Sequence, residues 1–152
     1  MQKIFKLLQV LTVMIFTGTV VNAEIIKMTP DVAREMALAG ELVLIDIRRP
    51  EEWAETGVPD VALLLDMTNR EFLTRLNIIR LQNSDIPLAF TCRTGSRSDY
   101  LTTELEKLGF SGLIDVVGGM SGSRVDKGWA KRKLPIRSVN EPVNPMIMVT
   151  QP

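Results

Sequence analysis

The order of apolar and polar positions divides the chain into strands and helices by turns. After a short apolar run, Ile25 to Met28, the triplet Thr29-Pro30-Asp31 reads as an N-cap, a proline in the first helical position and an early acid. Val32, Ala33, Met36, Ala37 and Ala39 recur at helical spacing until Gly40 stops the pattern. Glu41-Leu42-Val43-Leu44-Ile45-Asp46 is nearly continuous in apolar character, the look of a strand buried on both faces. Pro50 opens a short helix carrying Glu51, Glu52 and Trp53, and Gly57-Val58-Pro59 closes it.

Val61 to Leu65 is a further short strand, and Asn69 to Leu81 is an amphipathic helix with Phe72, Leu73, Leu76 and Ile79 on its apolar side. A polar turn, Gln82 to Asp85, leads into the apolar run Ile86 to Phe90. A helical pattern begins at Asp99 and runs to Leu108 before Gly109. Gly112 to Val117 is the last predicted strand, followed by Gly118-Gly119-Met120 and, after a polar stretch, Gly128-Trp129. Strands alternating with helices at these spacings predict an α/β fold: a central parallel sheet with helices on both faces.

The two ends differ from this pattern. Lys3 and Lys6 precede the apolar stretch Leu7 to Phe16, and the small-residue site Val21-Asn22-Ala23 follows. A basic start, a short apolar centre and a small residue before the cut describe a secretory signal peptide over residues 1–23, cleaved after Ala23. A membrane anchor needs about 20 apolar residues, and this run is shorter and interrupted. The domain is then expected over 24–137, in a periplasmic or secreted protein that meets the membrane only during export. Residues 138–152 form a C-terminal tail. The basic run Lys131-Arg132-Lys133 and prolines at 135, 142, 145 and 152 predict a loose or edge-packed terminus, with a basic dock for a partner as the alternative.

Export changes the charge balance. Without Lys3 and Lys6 the eighteen basic residues fall to sixteen, against eighteen acidic, so no basic excess points to nucleic acid. Histidine is absent, no metal-ligand cluster stands out, and no cofactor is implied. The size suits one domain, and without a long apolar heptad pattern a monomer is expected.

The chain has a single cysteine, which rules out an internal disulfide. Cys92 falls where the apolar run ends and a helix begins, in Phe90-Thr91-Cys92-Arg93-Thr94-Gly95-Ser96-Arg97-Ser98. Amides at a helix start lack intrahelical partners and favour an anion, Gly95 lets the loop turn them inward, and Arg93 and Arg97 add fixed positive charge. Free cysteine titrates near ~8.5, and one to two units of lowering corresponds to about 1.4 to 2.7 kcal/mol in favour of thiolate. The other reading of a lone cysteine is a small buried hydrophobe. Asp46 and Arg48 end the other apolar strand at the carboxyl edge of the sheet, where ligands bind in open α/β folds; they either support the site or hold the loop as a local ion pair.

These pieces resemble a single-domain rhodanese, a thiosulfate sulfurtransferase of the exported type. The resemblance rests on Leu44 to Arg48 with Pro50-Glu51-Glu52-Trp53, on the loop Cys92 to Ser98, and on Val117-Gly118-Gly119-Met120 with Gly128-Trp129 and Leu134-Pro135. It covers the chain from about Met28 to Pro135 and implies a rhodanese-like three-layer fold. Family members commonly carry Gly-His-Ile-Pro-Gly-Ala after the second motif. This chain reads Gly57-Val58-Pro59-Asp60-Val61-Ala62, a residue shorter before the proline and without the histidine.

The resemblance implies double displacement: the Cys92 thiolate attacks the outer sulfur of thiosulfate, sulfite leaves, and the persulfide passes to cyanide or a thiol, including a protein thiol. Amides from Arg93 through Thr94, Gly95 and Ser96 to Ser98 are expected to hold the anionic sulfur, and Arg93 and Arg97 the sulfonate of this small anionic donor. Other classes differ in identifiable ways. A cysteine phosphatase has five residues between Cys and Arg, whereas four separate Cys92 from Arg97 and Ser98 stands at the required place. A periplasmic persulfide carrier or redox partner has little thiosulfate turnover. A silent rhodanese-like binding module is expected to lack Cys92.

Overall fold

The computed structural model describes residues 25–142; the expected signal peptide and the tail from residue 143 onward lie outside the described residues. In chain order the elements are β1 (Ile26–Met28), α1 (Pro30–Leu38), β2 (Val43–Asp46), α2 (Pro50–Thr56), β3 (Val58–Pro59), β4 (Leu63–Leu64), α3 (Phe72–Gln82), β5 (Leu88–Thr91), α4 (Ser96–Lys107), β6 (Leu113–Val116) and β7 (Ile136–Arg137). One turn of 3-10 helix, Ala130–Arg132, precedes β7.

Five strands form the central sheet in the order β1-β6-β5-β2-β4, with every pairing parallel. β2, β5 and β6 are buried at every residue, as their nearly continuous apolar character requires of strands covered on both faces. Val43, Ile45, Leu88, Phe90 and Leu113 pack with Phe72, Leu76 and Ile79 of α3 and Leu101 and Leu105 of α4. The alternate residues Leu44, Ala89, Ile114 and Val116 pack with Ala33 and Ala37 of α1, Met120 and Trp129. The result is the predicted α/β three-layer architecture.

The predicted elements shift locally for physical reasons. α4 begins at Ser96 rather than Asp99, because its first turn is polar and the apolar pattern starts only at Leu101. Leu73 faces solvent, leaving Phe72, Leu76 and Ile79 as the buried line of α3. β7 adds a strand that the apolar pattern does not predict. It pairs antiparallel with β3, and Arg137 reaches past the expected domain end to donate to the carbonyls of Ala62 (2.9 Å), Ser138 (3.2 Å) and Glu141 (2.8 Å). The chain from 135 to 141 is therefore bonded to the domain rather than loose. In the basic run, Arg132 is held by Asp31 at 2.5 Å and by the Lys127 carbonyl at 2.8 Å.

Candidate active site

Register fixes the site. Asp46 pairs with Thr91, and the Ile47 amide donates to the Thr91 carbonyl at 3.0 Å, so Cys92 and the Asp46-Ile47-Arg48 segment leave the sheet together at its carboxyl edge. Cys92 is fully buried. Its Sγ accepts the Gly95 amide at 3.1 Å, and the buried Ser98 hydroxyl stands 3.8 Å away. Gly95 is the N-cap of α4 with φ of 100°, a left-handed conformation that glycine adopts without a Cβ clash. The amide that turns inward is thus supplied by the residue the sequence singled out, and it is the backbone donor bonded to the sulfur.

A second loop braces the first. Met120 N–H donates to the Cys92 carbonyl at 2.9 Å and Ser121 N–H to the Arg93 carbonyl at 2.8 Å. At Gly119, with φ of 53°, a Cβ would run into the Cys92 carbonyl oxygen and lie 2.8 Å from the Arg93 carbonyl carbon, so this approach needs glycine. Behind it the Trp129 amide holds the Gly119 carbonyl at 2.8 Å, while the buried Trp129 indole donates to the Pro135 carbonyl at 2.8 Å. The sequence motifs Gly118-Gly119-Met120 and Gly128-Trp129 therefore hold the backbone of the cysteine loop from outside.

The two loop arginines are not equivalent. Arg93 is exposed and makes no side-chain hydrogen bond or ion pair among the described residues. Arg97 is half-buried and forked onto Glu52 of α2, Nη1 to Oε2 at 2.8 Å and Nη2 to Oε1 at 2.6 Å. Glu52 also accepts the Arg49 amide at 3.1 Å, closing the N-terminus of α2. The Arg97 guanidinium, helped by the Arg49 amide against the cost of burial, pulls the Glu52 carboxyl down to about 2. Thr94 and Ser96 are exposed at the rim, their hydroxyls 3.5 Å apart.

Asp46 and Arg48 share the edge but form no bond to the sulfur. Both are buried, and Arg48 Nη2 meets Asp46 Oδ2 at 2.7 Å while Nε spans both carboxylate oxygens at 3.0 and 3.1 Å. The rest of the guanidinium donates to Thr56 Oγ1 at 2.7 Å and to the carbonyls of Gly57 at 2.7 Å and Glu52 at 3.3 Å. Burial pushes the Asp46 carboxyl up, and Arg48 opposes that rise. The pair ties β2 to both ends of α2, and α2 in turn carries Glu52 to Arg97. Glu52 is the functional residue that sequence reasoning missed; the sequence placed it only in a short helix opened by Pro50, and nothing local signalled a partner in the cysteine loop.

Comparison with known proteins agrees with this arrangement. The family profile described as Rhodanese-like domain matches residues 29–124. The chain is 34% identical over 116 residues to Thiosulfate sulfurtransferase 16, chloroplastic, of Arabidopsis thaliana, covering 70% of this chain and 88% of that protein. It is 30% identical over 108 residues to a Sulfurtransferase of Allochromatium vinosum, covering 68% and 86%. Among solved structures, Rv0390 from M. tuberculosis aligns with a TM-score of 0.58 at 27% identity, covering 73% of this chain and 96% of that one. The chain belongs to the rhodanese-like family.

Proposed function

We propose that the protein is a sulfurtransferase that moves a sulfane sulfur through Cys92, from thiosulfate or a similar small anionic donor to cyanide or a thiol. The observation that carries this reading is the position of Cys92 Sγ, bonded to the Gly95 amide at 3.1 Å and faced by the Ser98 hydroxyl. In the first step the thiolate forms a bond to the outer sulfur of thiosulfate. The donor's own S–S bond breaks, and its electron pair leaves on sulfite. In the second step cyanide or a thiolate attacks the terminal persulfide sulfur, thiocyanate or a new persulfide departs, and the Cys92 thiolate returns. A polarizable thiolate needs no general base once ionised, consistent with a chain that has no histidine.

The site residues divide the work. The Gly95 amide and the Ser98 hydroxyl stabilise the anionic sulfur, while Arg93, Thr94 and Ser96 at the rim receive the sulfonate. Arg97 holds the loop through Glu52 and adds positive field. Asp46 and Arg48 support the site by fixing α2. Burial of Cys92 keeps water and oxidants from the persulfide, and the rim side chains give way as the donor arrives.

A persulfide carrier with little thiosulfate turnover is the second reading, favoured by the commitment of Arg97 to Glu52, which leaves Arg93 as the loop arginine without a partner among the described residues. Thiocyanate production from thiosulfate and cyanide tests the first reading. Activity that disappears in Cys92→Ser supports it; negligible activity beside rapid persulfide transfer to a protein thiol supports the carrier. Export is likewise proposed from the sequence alone, and Edman sequencing of the native protein decides it: Glu24 as first residue supports cleavage, and a membrane-embedded full-length chain contradicts it.

A further inference from the structure

The basic segment after the glycine loop plays no part in the sulfur-transfer scheme. From Gly118 to Asn140 the sequence holds six cationic side chains, Arg124, Lys127, Lys131, Arg132, Lys133 and Arg137, against one acid, Asp126. Two of the six are engaged within the fold, Arg132 by Asp31 and the buried Arg137 by backbone carbonyls. Arg124, Lys127, Lys131 and Lys133 are exposed and make no side-chain hydrogen bond or ion pair among the described residues. Arg93 of the cysteine loop shares that condition.

The backbone brings these cations to one place. Ser121 N–H donates to the Arg93 carbonyl at 2.8 Å, and the stem of Lys131 lies over the next residue, where a Cβ on Gly122 would stand 3.3 Å from Lys131 Cδ. Gly118 is the spacer between the sulfur's own amide donor and the segment carrying Lys127. A Cβ on Gly95 would lie 3.0 Å from the Gly118 nitrogen, and one on Gly118 would lie 3.2 Å from the Lys127 carbonyl carbon. Between Gly122 and Lys127 the chain makes a tight turn: Ser123 N–H donates to the Asp126 carbonyl at 2.9 Å, and Ser123 Oγ accepts the amides of Val125 at 3.2 Å and Asp126 at 3.0 Å. Val125 at the tip is 88% exposed. A fixed apolar side chain thus projects from among cations that have no partner within the fold.

We infer that this surface docks an acidic protein thiol, a partner whose cysteine is flanked by Asp or Glu, as the acceptor of the Cys92 sulfur. The inference rests on the reading of Cys92 as the sulfur carrier. Complementary charge speeds encounter and fixes orientation, and Arg93, Arg124, Lys127, Lys131 and Lys133 supply it beside the loop that holds the sulfur. Carboxylates beside the partner's thiol keep it protonated in solution, and the cations reverse that on docking, with the thiol proton going to solvent. The thiolate then attacks the terminal sulfur of the Cys92 persulfide, the S–S bond breaks, and its electron pair returns to Cys92 as thiolate while the partner leaves as the persulfide. A protein fits better than a lipid surface, because one valine at a turn tip gives a point contact and no amphipathic face to lie in a bilayer.

The surface is tested first without sulfur chemistry. Short fluorescent peptides with a central serine, flanked in one by Asp and Glu and in the other by Ser and Gly, are titrated into the wild-type protein by anisotropy. The acidic peptide is expected to bind about tenfold more tightly at low salt and to lose that advantage as salt rises. The double variant Arg124→Glu/Lys131→Glu is expected to abolish the preference, whereas Val125→Ser weakens binding about threefold at every salt concentration, as loss of an apolar contact does. The matching cysteine peptides are then given to protein carrying one sulfur on Cys92. Transfer to the acidic peptide is expected to fall about tenfold in the double variant, with transfer to 2-mercaptoethanol within about twofold of wild type, since a small neutral thiol is not steered by the patch. Equal affinity for the two peptides, a preference that survives in the double variant, or an equal loss toward 2-mercaptoethanol overturns the inference. Binding to phosphatidylserine vesicles that the double variant loses, without any preference between peptides, also overturns it and assigns the patch to a membrane. Failure of Cys92 to take up sulfur contradicts the carrier reading separately, and the serine-peptide titrations then judge the docking surface by themselves.

Discussion

Arg97 of the cysteine loop and Glu52 of α2, forty-five residues apart in sequence, are joined by two parallel hydrogen bonds of 2.8 and 2.6 Å. A forked arginine-carboxylate pair fixes orientation as well as distance, so α2 and the start of α4 are held as one unit. This separates Arg97 from Arg93, although the two look alike in the sequence.

The two arginines should therefore fail differently. Arg93→Ala is expected to raise KM for thiosulfate about tenfold with kcat nearly unchanged, since a rim interaction of equal strength in the ground and transition states acts on KM. Arg97→Ala is expected to lower kcat as well, because the loop loses its anchor. Thermal unfolding discriminates further: Arg97→Ala and Glu52→Gln lower Tm, while Arg93→Ala leaves it in place.

Glu52 also predicts acid behaviour. Its carboxyl lies at about 2 in the folded protein against 4.5 when unperturbed, so the unfolded chain binds the proton more readily. The stability this contributes is present above pH 4.5 and is lost as pH falls toward about 2. The pair is partly open to solvent, which limits the effect to about 1 kcal/mol. Urea unfolding of wild type and Glu52→Gln should converge across that window.

Asp115 has the opposite sign. Burial raises its carboxyl from the ordinary 3.8, so the folded state holds the proton longer and loses stability as pH rises from there to the folded midpoint. Asp115→Asn should be relatively more stable at neutral pH than in acid, as the difference in Tm between variant and wild type measured at both.

The Asp46 and Arg48 pair is buried on both sides, so removing one partner strands the other. Arg48→Ala should cost about 3 to 5 kcal/mol by equilibrium unfolding, well beyond the fraction of a kcal/mol expected of an exposed pair. The accompanying loss of sulfur transfer should follow the loosening of α2 rather than any contact with the donor.

Much of the fold was legible because burial on both faces writes itself as continuous apolar strands. Val43 to Asp46 and Leu88 to Thr91 could be placed, and strands that end together at one edge put Asp46 beside the residue before Cys92. The Ser98 approach to the sulfur was less legible, since polar residues open α4 before any apolar period appears. β7 has two residues and no period, and its partner β3 lies far earlier in the chain. Glu52 with Arg97 depends on a tertiary contact between elements that no spacing encodes.

The most direct test of Cys92 as the sulfur carrier is the intact mass of the protein after exposure to thiosulfate and removal of excess donor. A single added sulfur that maps to Cys92, disappears on addition of cyanide with release of thiocyanate, and never forms on a folded Cys92→Ser variant is the predicted result. An unchanged mass in wild type, or an identical adduct on Cys92→Ser, contradicts it.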